Sequence, residues 1–282
     1  MASAIVPLSP EDADRFRAFE RRRFDELAQS YNAFFSPVTA VAIAPLLSAV
    51  RLVAGMTFLD VATGAGALAG EARRAGAHPI GVDLSPRMIE LARRSNPAIE
   101  FHVSDVEKMP FGEKSFDAVA CNFGLGHFPF PEAALAECVR TLRPGGRVAF
   151  SWWDVFERQR ITGLFRDAIA EIGVAPPPDV PKGYTMLRFS DLREFRRLLD
   201  EAGLSEVTIA DHATTHLVPD VDTLWHGGLG SFSVTASAVG HQNEATQKAI
   251  RAALERLAAV YQTPRGLQLP VGFRIGSGIK RN

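Results

Sequence analysis

Over the middle of the chain, apolar segments alternate with amphipathic ones, as strands alternate with helices. Three short apolar runs end at Asp60, Asp83 and Ser104, and two further runs follow them. Continuously apolar runs are typical of strands that are buried on both faces of a parallel sheet. The pattern therefore predicts an α/β fold with a doubly wound, mostly parallel sheet.

Helical patterns flank this alternation on both sides. Residues 10–30 and 38–54 predict two N-terminal helices, joined by a loop at residues 31–37. On the C-terminal side, the predicted helices are residues 161–172, 190–202 and 244–261, and the predicted strands are residues 206–212 and 267–278.

Composition narrows the class of protein. The chain has 282 residues, of which 46% are hydrophobic, and this suffices for a sizeable core. A formal net charge of −1 gives no basic excess of the kind that binds nucleic acid, so no nucleic-acid partner is expected. The three arginines at residues 21–23 are interpreted as a solvated helix face. Cys121 and Cys138 fall in predicted core segments and are expected to be reduced.

No targeting or membrane segment is expected. The first residues lack the basic stretch and long apolar run of a secretory signal. The apolar run at residues 38–53 is interrupted by Pro45 and Arg51, and it is too short for a membrane span. The sequence therefore predicts a cytoplasmic protein.

A glycine loop follows the first predicted strand. Gly64 and Gly66 come directly before a predicted helix, an arrangement that brings backbone N–H groups close to a ligand. Residues 64–69 fit the pattern G-x-G-x-x-A, which keeps an NAD(P)-dependent oxidoreductase as an alternative. Asp60 argues against that alternative, because dinucleotide-binding proteins usually have an apolar residue at this position.

The motifs, taken together, resemble those of the class I S-adenosylmethionine-dependent methyltransferases. The matching segments are residues 60–66, 81–86, 104–111, 115–127 and 142–153. They look most similar to the group that includes quinone-biosynthesis and many small-molecule methyltransferases. The resemblance implies a seven-stranded Rossmann-like sheet whose last strand runs antiparallel at the edge. It also implies methyl transfer from S-adenosylmethionine to a small, largely apolar acceptor; a protein of this fold that binds the cofactor without transfer is a further alternative.

The division of the chain follows from the motifs. We expect a helical lid at residues 1–55, a cofactor-binding core at 56–153, and the rest of the sheet at 154–282 with a helical cap insertion at about 221–261. Gly227, Gly228 and Gly230 are expected to let this insertion bend.

Several residues at the predicted strand ends are candidates for cofactor binding. Asp83 follows Asp60 at about the 20-residue distance typical of a ribose-binding acid. Asp105 is expected to accept a hydrogen bond from the adenine amino group, and Met88 to pack on the adenine face. The complete predicted set is Tyr31, Asp60, Ala62, Gly64, Gly66, Asp83, Leu84, Met88, Ser104, Asp105, Val106 and Asn122.

Methyl transfer requires positioning above all, and a base only where the acceptor loses a proton early. His127 lies just past the fourth predicted strand, where it would act as that base, orient the acceptor, hydrogen-bond the cofactor loop or cap the next helix. Of these roles, the sequence favours the structural ones, in which His127 hydrogen-bonds the cofactor loop or caps the next helix. Trp153, Trp225 and Phe232 offer flat apolar surfaces for an acceptor.

Partners other than the small-molecule acceptor are few. Asp211, His212 and His216 resemble a metal site, but no further ligand accompanies them, so no metal is expected. A homodimer is compatible with the sequence.

Overall fold

A mixed sheet with helices on both faces forms the centre of the protein. The computed structural model describes residues 8–175, 177, 179–181 and 187–281. Residues 1–7, on which the expectation of no secretory signal rests, lie outside this part. The strands are β1 (Thr57–Val61), β2 (His78–Asp83), β3 (Glu100–Val103), β4 (Phe116–Asn122), β5 (Leu142–Trp153), β6 (Ser205–Val218), β7 (Gln262–Thr263) and β8 (Gly266–Ile279).

The strand order is β3-β2-β1-β4-β5-β8-β6, and the two-residue β7 pairs with β8. The first five strands in this order are parallel, whereas β8 runs antiparallel to both β5 and β6. The predicted α/β fold with a mostly parallel sheet is therefore confirmed.

The expectation that the last strand forms the edge is wrong, because β6 lies there instead. Nearly every residue of β8 is buried, whereas the residues of β6 are half-buried or exposed, apart from the buried Val218. A strand with a neighbour on each side is more deeply buried than a strand at the edge of the sheet. The inner position therefore favours β8, which is the more apolar of the two strands. Pairing with β8 also extends β6 to Val218, beyond the predicted end at residue 212.

The helices lie before, between and after these strands. They are α1 (Pro10–Phe34), α2 (Ser36–Thr39), α3 (Ile43–Ala49), α4 (Ala67–Arg74), α5 (Pro86–Ser95), α6 (Pro131–Thr141), α7 (Arg160–Ile172), α8 (Leu192–Glu201), α9 (Val221–Leu229), α10 (Ser233–Gly240) and α11 (Glu244–Ala258).

The N-terminal helices differ in length from those predicted. Helix α1 is capped by Ser9, whose Oγ accepts from the N–H of Asp12, and it continues through most of the predicted loop, so that Tyr31 lies on a helix. The second predicted helix is divided into α2, a 3-10 turn and α3. Pro45 lies in the first turn of α3, where its missing N–H costs no helical hydrogen bond.

The insertion after Pro219 contains two helices, α9 and α10. Two glycines of α9 lie against other helices: a Cβ on Gly227 would come within 2.2 Å of Phe34, and one on Gly228 within 2.2 Å of Phe165. These glycines therefore allow α9 to approach α1 and α7 closely. That they let the insertion bend stays a prediction.

Among the described residues, no single helix is both long enough and apolar enough to cross a membrane. Helix α1 and the segment Ser36–Ala49 meet that criterion only as a pair, and the pair is bent by 67°.

Candidate functional site

The turn after β1 is shaped by backbone conformations that favour glycine. Gly64 and Gly66 have φ angles of +53° and +83°. A Cβ on Gly66 would also lie 3.0 Å from the ring of Phe101. The glycines therefore let the chain turn sharply from β1 into α4, and the N–H of Gly64 donates to Asp83.

Asp60 stabilises this turn by accepting hydrogen bonds from it. It is 1% exposed, and its Oδ2 accepts from the hydroxyl of Thr63 at 2.6 Å and from the N–H of Ala69 at 2.9 Å. Burial raises the pKa of its carboxyl to about 7, because the two hydrogen bonds only partly offset the desolvation of the charge. Its Oδ1 is buried and has no partner among the described residues.

Asp83 sits where β2 ends. Its Oδ2 accepts from the N–H of Gly64 and its Oδ1 from the N–H of Ser85, both at 2.9 Å. Burial raises the pKa of Asp83, an effect that these two bonds partly counter. Each carboxylate oxygen has a second lone pair, so Asp83 can still accept two hydrogen bonds from a ligand.

A cavity of about 100 Å³ opens at the carboxyl ends of the strands, beneath α1. Of the predicted cofactor residues, Tyr31, Ala62, Gly64, Asp83, Leu84, Met88, Ser104, Asp105, Val106 and Asn122 line it, and so does His127. Asp60 and Gly66 do not line the cavity, but they stabilise the turn that does. The structure thus brings the predicted set together, and its role in binding stays a prediction.

Sequence reasoning expected a helical lid and named Tyr31, but it missed four other residues of α1 that contribute to this cavity. Arg17, Glu20, Arg21 and Phe24 all line it. Arg21 and Arg22 are exposed, as expected for a solvated helix face, but Arg21 also lies at the cavity. A helical pattern alone does not reveal which neighbour a helix face meets. The acidic and aromatic residues one turn apart on the same helix were the available signal.

Ion pairs of Arg17 and hydrogen bonds to Asp25 hold α1 over the strand ends. Arg17 lies between two acids, with its Nε 2.9 Å from Oδ2 of Asp105 and its Nη2 against Glu107. Further along the helix, Asp25 accepts from the hydroxyl of Ser85 at 2.5 Å and from the N–H of Arg87 at 3.2 Å. The helix is therefore fixed to the loops that follow β2 and β3.

His127 meets a carboxylate on α1. Its Nδ1 lies 2.7 Å from Oε2 of Glu20, a side chain that is 3% exposed. The ring also packs edge-on against Phe24 at 5.1 Å and Trp152 at 6.0 Å. No described side chain caps α6, so the predicted capping role of His127 is wrong. An imidazole paired with a buried carboxylate beside a cavity can accept and release a proton.

The predicted acceptor residues lie in an aromatic cluster beside the cavity. Trp153 stacks on Phe123 at 3.6 Å, Phe232 meets Phe35 edge-on at 4.7 Å, and Trp225 stacks on Phe165 at 6.0 Å. Of these six residues, Phe123 is the one that reaches the described lining of the cavity. Contact of Trp153, Trp225 and Phe232 with an acceptor therefore stays a prediction.

The residues considered for a metal site take part in other contacts. Asp211 accepts from Nε of Arg274 at 2.8 Å, and His212 stacks on Phe273 at 5.0 Å. Within the described ranges, no group of three or more potential ligands could hold a metal ion.

Comparison with known proteins gives a family match for the core. Residues 59–150 match a family model described as a methyltransferase domain. The chain is 39% identical over 140 residues to a demethylmenaquinone methyltransferase of Chlorobaculum parvum, covering 46% of this chain and 58% of that protein. It is 33% identical over 192 residues to an arsenite methyltransferase of Halobacterium salinarum, covering 65% and 46% respectively. The chain thus spans roughly half the length of these relatives.

Solved structures share the fold. A phosphoethanolamine N-methyltransferase 2 of Haemonchus contortus, in complex with phosphomonomethylethanolamine and S-adenosylhomocysteine, superposes with a TM-score of 0.58 at 16% identity, covering 98% of this chain and 61% of that one. A SAM-dependent methyltransferase of Thermotoga maritima gives a TM-score of 0.55 at 18% identity, covering 93% of this chain and all of that one.

Proposed function

We propose that the protein transfers a methyl group from S-adenosylmethionine to a small, largely apolar acceptor, because residues 59–150 match a family model described as a methyltransferase domain. The observation that supports this most strongly is the cavity at the strand ends, where Gly64, Asp83 and Asp105 are gathered around one space. The comparisons do not favour the NAD(P)-dependent oxidoreductase.

The residues present fit an S-adenosyl group. Asp83 has two unused lone pairs for the hydroxyls of a ribose, and the glycine turn leaves open space where a side chain on Gly64 would project. Met88 and Val106 supply buried apolar surface for a planar base. When bound, S-adenosylmethionine supplies a methyl group that its positively charged sulfur already activates for displacement.

The chain's own task is then to position the acceptor and to exclude water. Helix α1 covers the cavity, so we propose residues 1–55 as the lid, residues 56–153 as the cofactor-binding core, and residues 154–282 as the rest of the sheet with a cap at about 221–261. A cytoplasmic location and a homodimer stay predictions.

The apolar residues that line the cavity near His127 support the proposal of an apolar acceptor. Phe24, Phe123, Phe128 and Pro129 line this part of the cavity. Flat apolar molecules pack well on aromatic rings, and one relative is named for a demethylmenaquinone. A panel of small apolar metabolites that includes hydroquinones, assayed for release of S-adenosylhomocysteine, tests the proposal. Binding of S-adenosylmethionine with no release from any acceptor would favour a binding protein.

Asp83→Ala should weaken the binding of S-adenosylmethionine by about 10- to 100-fold. The variant loses a pair of charge-assisted hydrogen bonds to the ribose, worth roughly 1.5–3 kcal/mol. Isothermal titration calorimetry measures the change directly.

Asp117→Ala is a matched control for that measurement. Asp117 accepts two hydrogen bonds from Thr57, both at 2.8 Å. It lies where β4 begins, whereas the cavity lies at the carboxyl ends of the strands. Both variants should lose stability, and Asp83→Ala alone should lose affinity. Equal affinities for the donor in Asp83→Ala and the wild-type protein, or tight binding of NADH by the latter, would contradict the proposal.

A further inference from the structure

Phe123, the first residue after β4, has a backbone conformation that aromatic residues rarely adopt. Its φ angle is +57°, in the left-handed region that favours glycine. A bulky residue stays in this region only where the surrounding contacts enforce it, and such residues are concentrated at functional sites. Phe123 also lines the cavity at the strand ends, so its conformation indicates a role for the side chain there.

Hydrogen bonds and ring packing hold Phe123 in this conformation. Its N–H donates to the Oγ of Ser151 at 2.9 Å, and the hydroxyl of Ser151 donates to Oδ1 of Asn122 at 2.8 Å. The ring stacks on Trp153, with the centroids 3.6 Å apart and the planes inclined by 14°. Both the backbone and the ring of Phe123 are therefore fixed before any ligand binds.

We propose that Phe123 determines the specificity for the acceptor: its ring packs against the acceptor and selects one whose reacting group is carried by a flat aromatic ring. The inference rests on the proposed function and deepens it, because it names an aromatic molecule within the class of small, largely apolar acceptors.

The order of the strands places Phe123 on the acceptor side of the cavity. Asp105 follows β3, Asp83 ends β2 and Gly64 follows β1, and β4 is the next strand in the sheet. An S-adenosyl group with its base at Asp105 and its ribose at Asp83 has to place its remaining part farther along this row, toward β1 and β4. The acceptor then meets the methyl group where Phe123 lies.

The neighbours of Phe123 in the cavity are also aromatic. The ring of Phe128 lies close to the backbone next to Phe123, since a Cβ on Gly124 would come within 3.0 Å of it. Phe24, on α1, lines the same cavity. Aromatic rings attract one another in edge-on and offset arrangements by more than the area they bury accounts for. A saturated molecule of equal size lacks this attraction, so the site favours an aromatic acceptor.

Two probe molecules that differ in aromaticity test the inference without turnover. 2-Naphthol and decahydro-2-naphthol have the same ten-carbon skeleton and the same hydroxyl, but only the first is flat and aromatic. Calorimetry on the wild-type protein, saturated with S-adenosylhomocysteine, should give at least about fivefold tighter binding of 2-naphthol. In Phe123→Leu the ratio of the two affinities should fall below about twofold. Because every protein is saturated with S-adenosylhomocysteine, a changed affinity for that ligand does not enter the ratio.

A second variant covers the case in which Phe123→Leu does not fold. Asparagine adopts the left-handed region more readily than leucine does, so Phe123→Asn removes the ring and keeps the backbone conformation. Its ratio of affinities should also fall below about twofold.

Phe195→Leu is the matched control. Phe195 is fully buried on α8, where its ring meets Phe189 edge-on, and it lies outside the described lining of the cavity. The variant should lose stability, as Phe123→Leu does, but keep the wild-type ratio of affinities. A ratio that falls equally in Phe195→Leu would show that the effect reflects lost stability, and it would overturn the inference.

Three results with the wild-type protein or the Phe123 variants would also overturn it. They are a wild-type ratio near one, binding of neither probe to the complex with S-adenosylhomocysteine, and a ratio that is unchanged in Phe123→Leu or Phe123→Asn. Each leaves the proposed methyl transfer standing. A wild-type protein that binds no S-adenosylhomocysteine would instead refute the proposed function, and the inference with it.

Discussion

Between pH 4 and pH 8, the wild-type protein should lose about 4 kcal/mol of unfolding free energy relative to its Asp60→Asn variant. Burial raises the pKa of the Asp60 carboxyl from 3.8 to about 7. The unfolded chain ionises this group near pH 4, and the folded protein only near pH 7. The stability that the protonated form contributes is therefore present below pH 4 and is lost as the pH rises through 7.

The variant isolates Asp60 because an asparagine oxygen can accept the same bonds from Thr63 and Ala69. Any cost of the added amide hydrogens does not change with pH. Asp83, whose pKa is also raised by burial, is present in both proteins, so its contribution to the difference largely cancels.

Denaturant unfolding of both proteins at several pH values measures the effect. The difference in unfolding free energy should shift steadily in favour of the variant as the pH rises from 4 to 7 and then become constant. A difference that stays constant over the whole range would show that Asp60 is ionised in the folded protein throughout.

Replacing Trp225 by alanine should lower the unfolding free energy by about 3–5 kcal/mol and leave the affinity for S-adenosylhomocysteine within about threefold. The indole is 6% exposed and stacks on Phe165 between α9 and α7, away from the described cavity lining. Its removal would leave a void that the close packing at Gly228 prevents the helices from filling.

Two further variants serve as controls for the Trp225→Ala measurement. Trp225→Phe keeps an aromatic ring and should lose less stability than Trp225→Ala. Val260→Ala truncates a side chain that is 80% exposed and should change the unfolding free energy by less than about 0.5 kcal/mol. If Trp225→Ala instead unfolds like the wild-type protein but has a raised KM for the acceptor, Trp225 contacts the acceptor.

Local patterns were sufficient for the core of the fold and for the cofactor side of the site. Strand ends at Asp83 and Asn122 could be predicted because burial on both faces leaves an apolar run that stops where the strand stops. The helix start at Ser85 and Pro86 was also predictable, because capping involves neighbours in sequence: the Oγ of Ser85 accepts from the N–H of Met88. Residues at the carboxyl ends of adjacent parallel strands then meet at one edge of the sheet.

Interactions between distant segments could not be predicted in this way. Glu20 and His127 are separated by 107 residues, and nothing in the helical pattern around Glu20 distinguishes a buried acid from a solvated one. Gly227 and Gly228 belong to the same class, because a glycine in the sequence indicates flexibility and close packing equally well. The order of β8 and β6 likewise depended on which strand had the more apolar surface to bury.

The sequence by itself determined the α/β core, the glycine turn and the acids at the strand ends, because each is fixed by neighbours within about a dozen residues. The tertiary structure alone decided which residues of α1 line the cavity, that Glu20 meets His127, and that Trp225 packs against Phe165. These contacts depend on how whole helices fit onto the sheet, and that fit is set by burial summed over many side chains, which no short segment of sequence specifies.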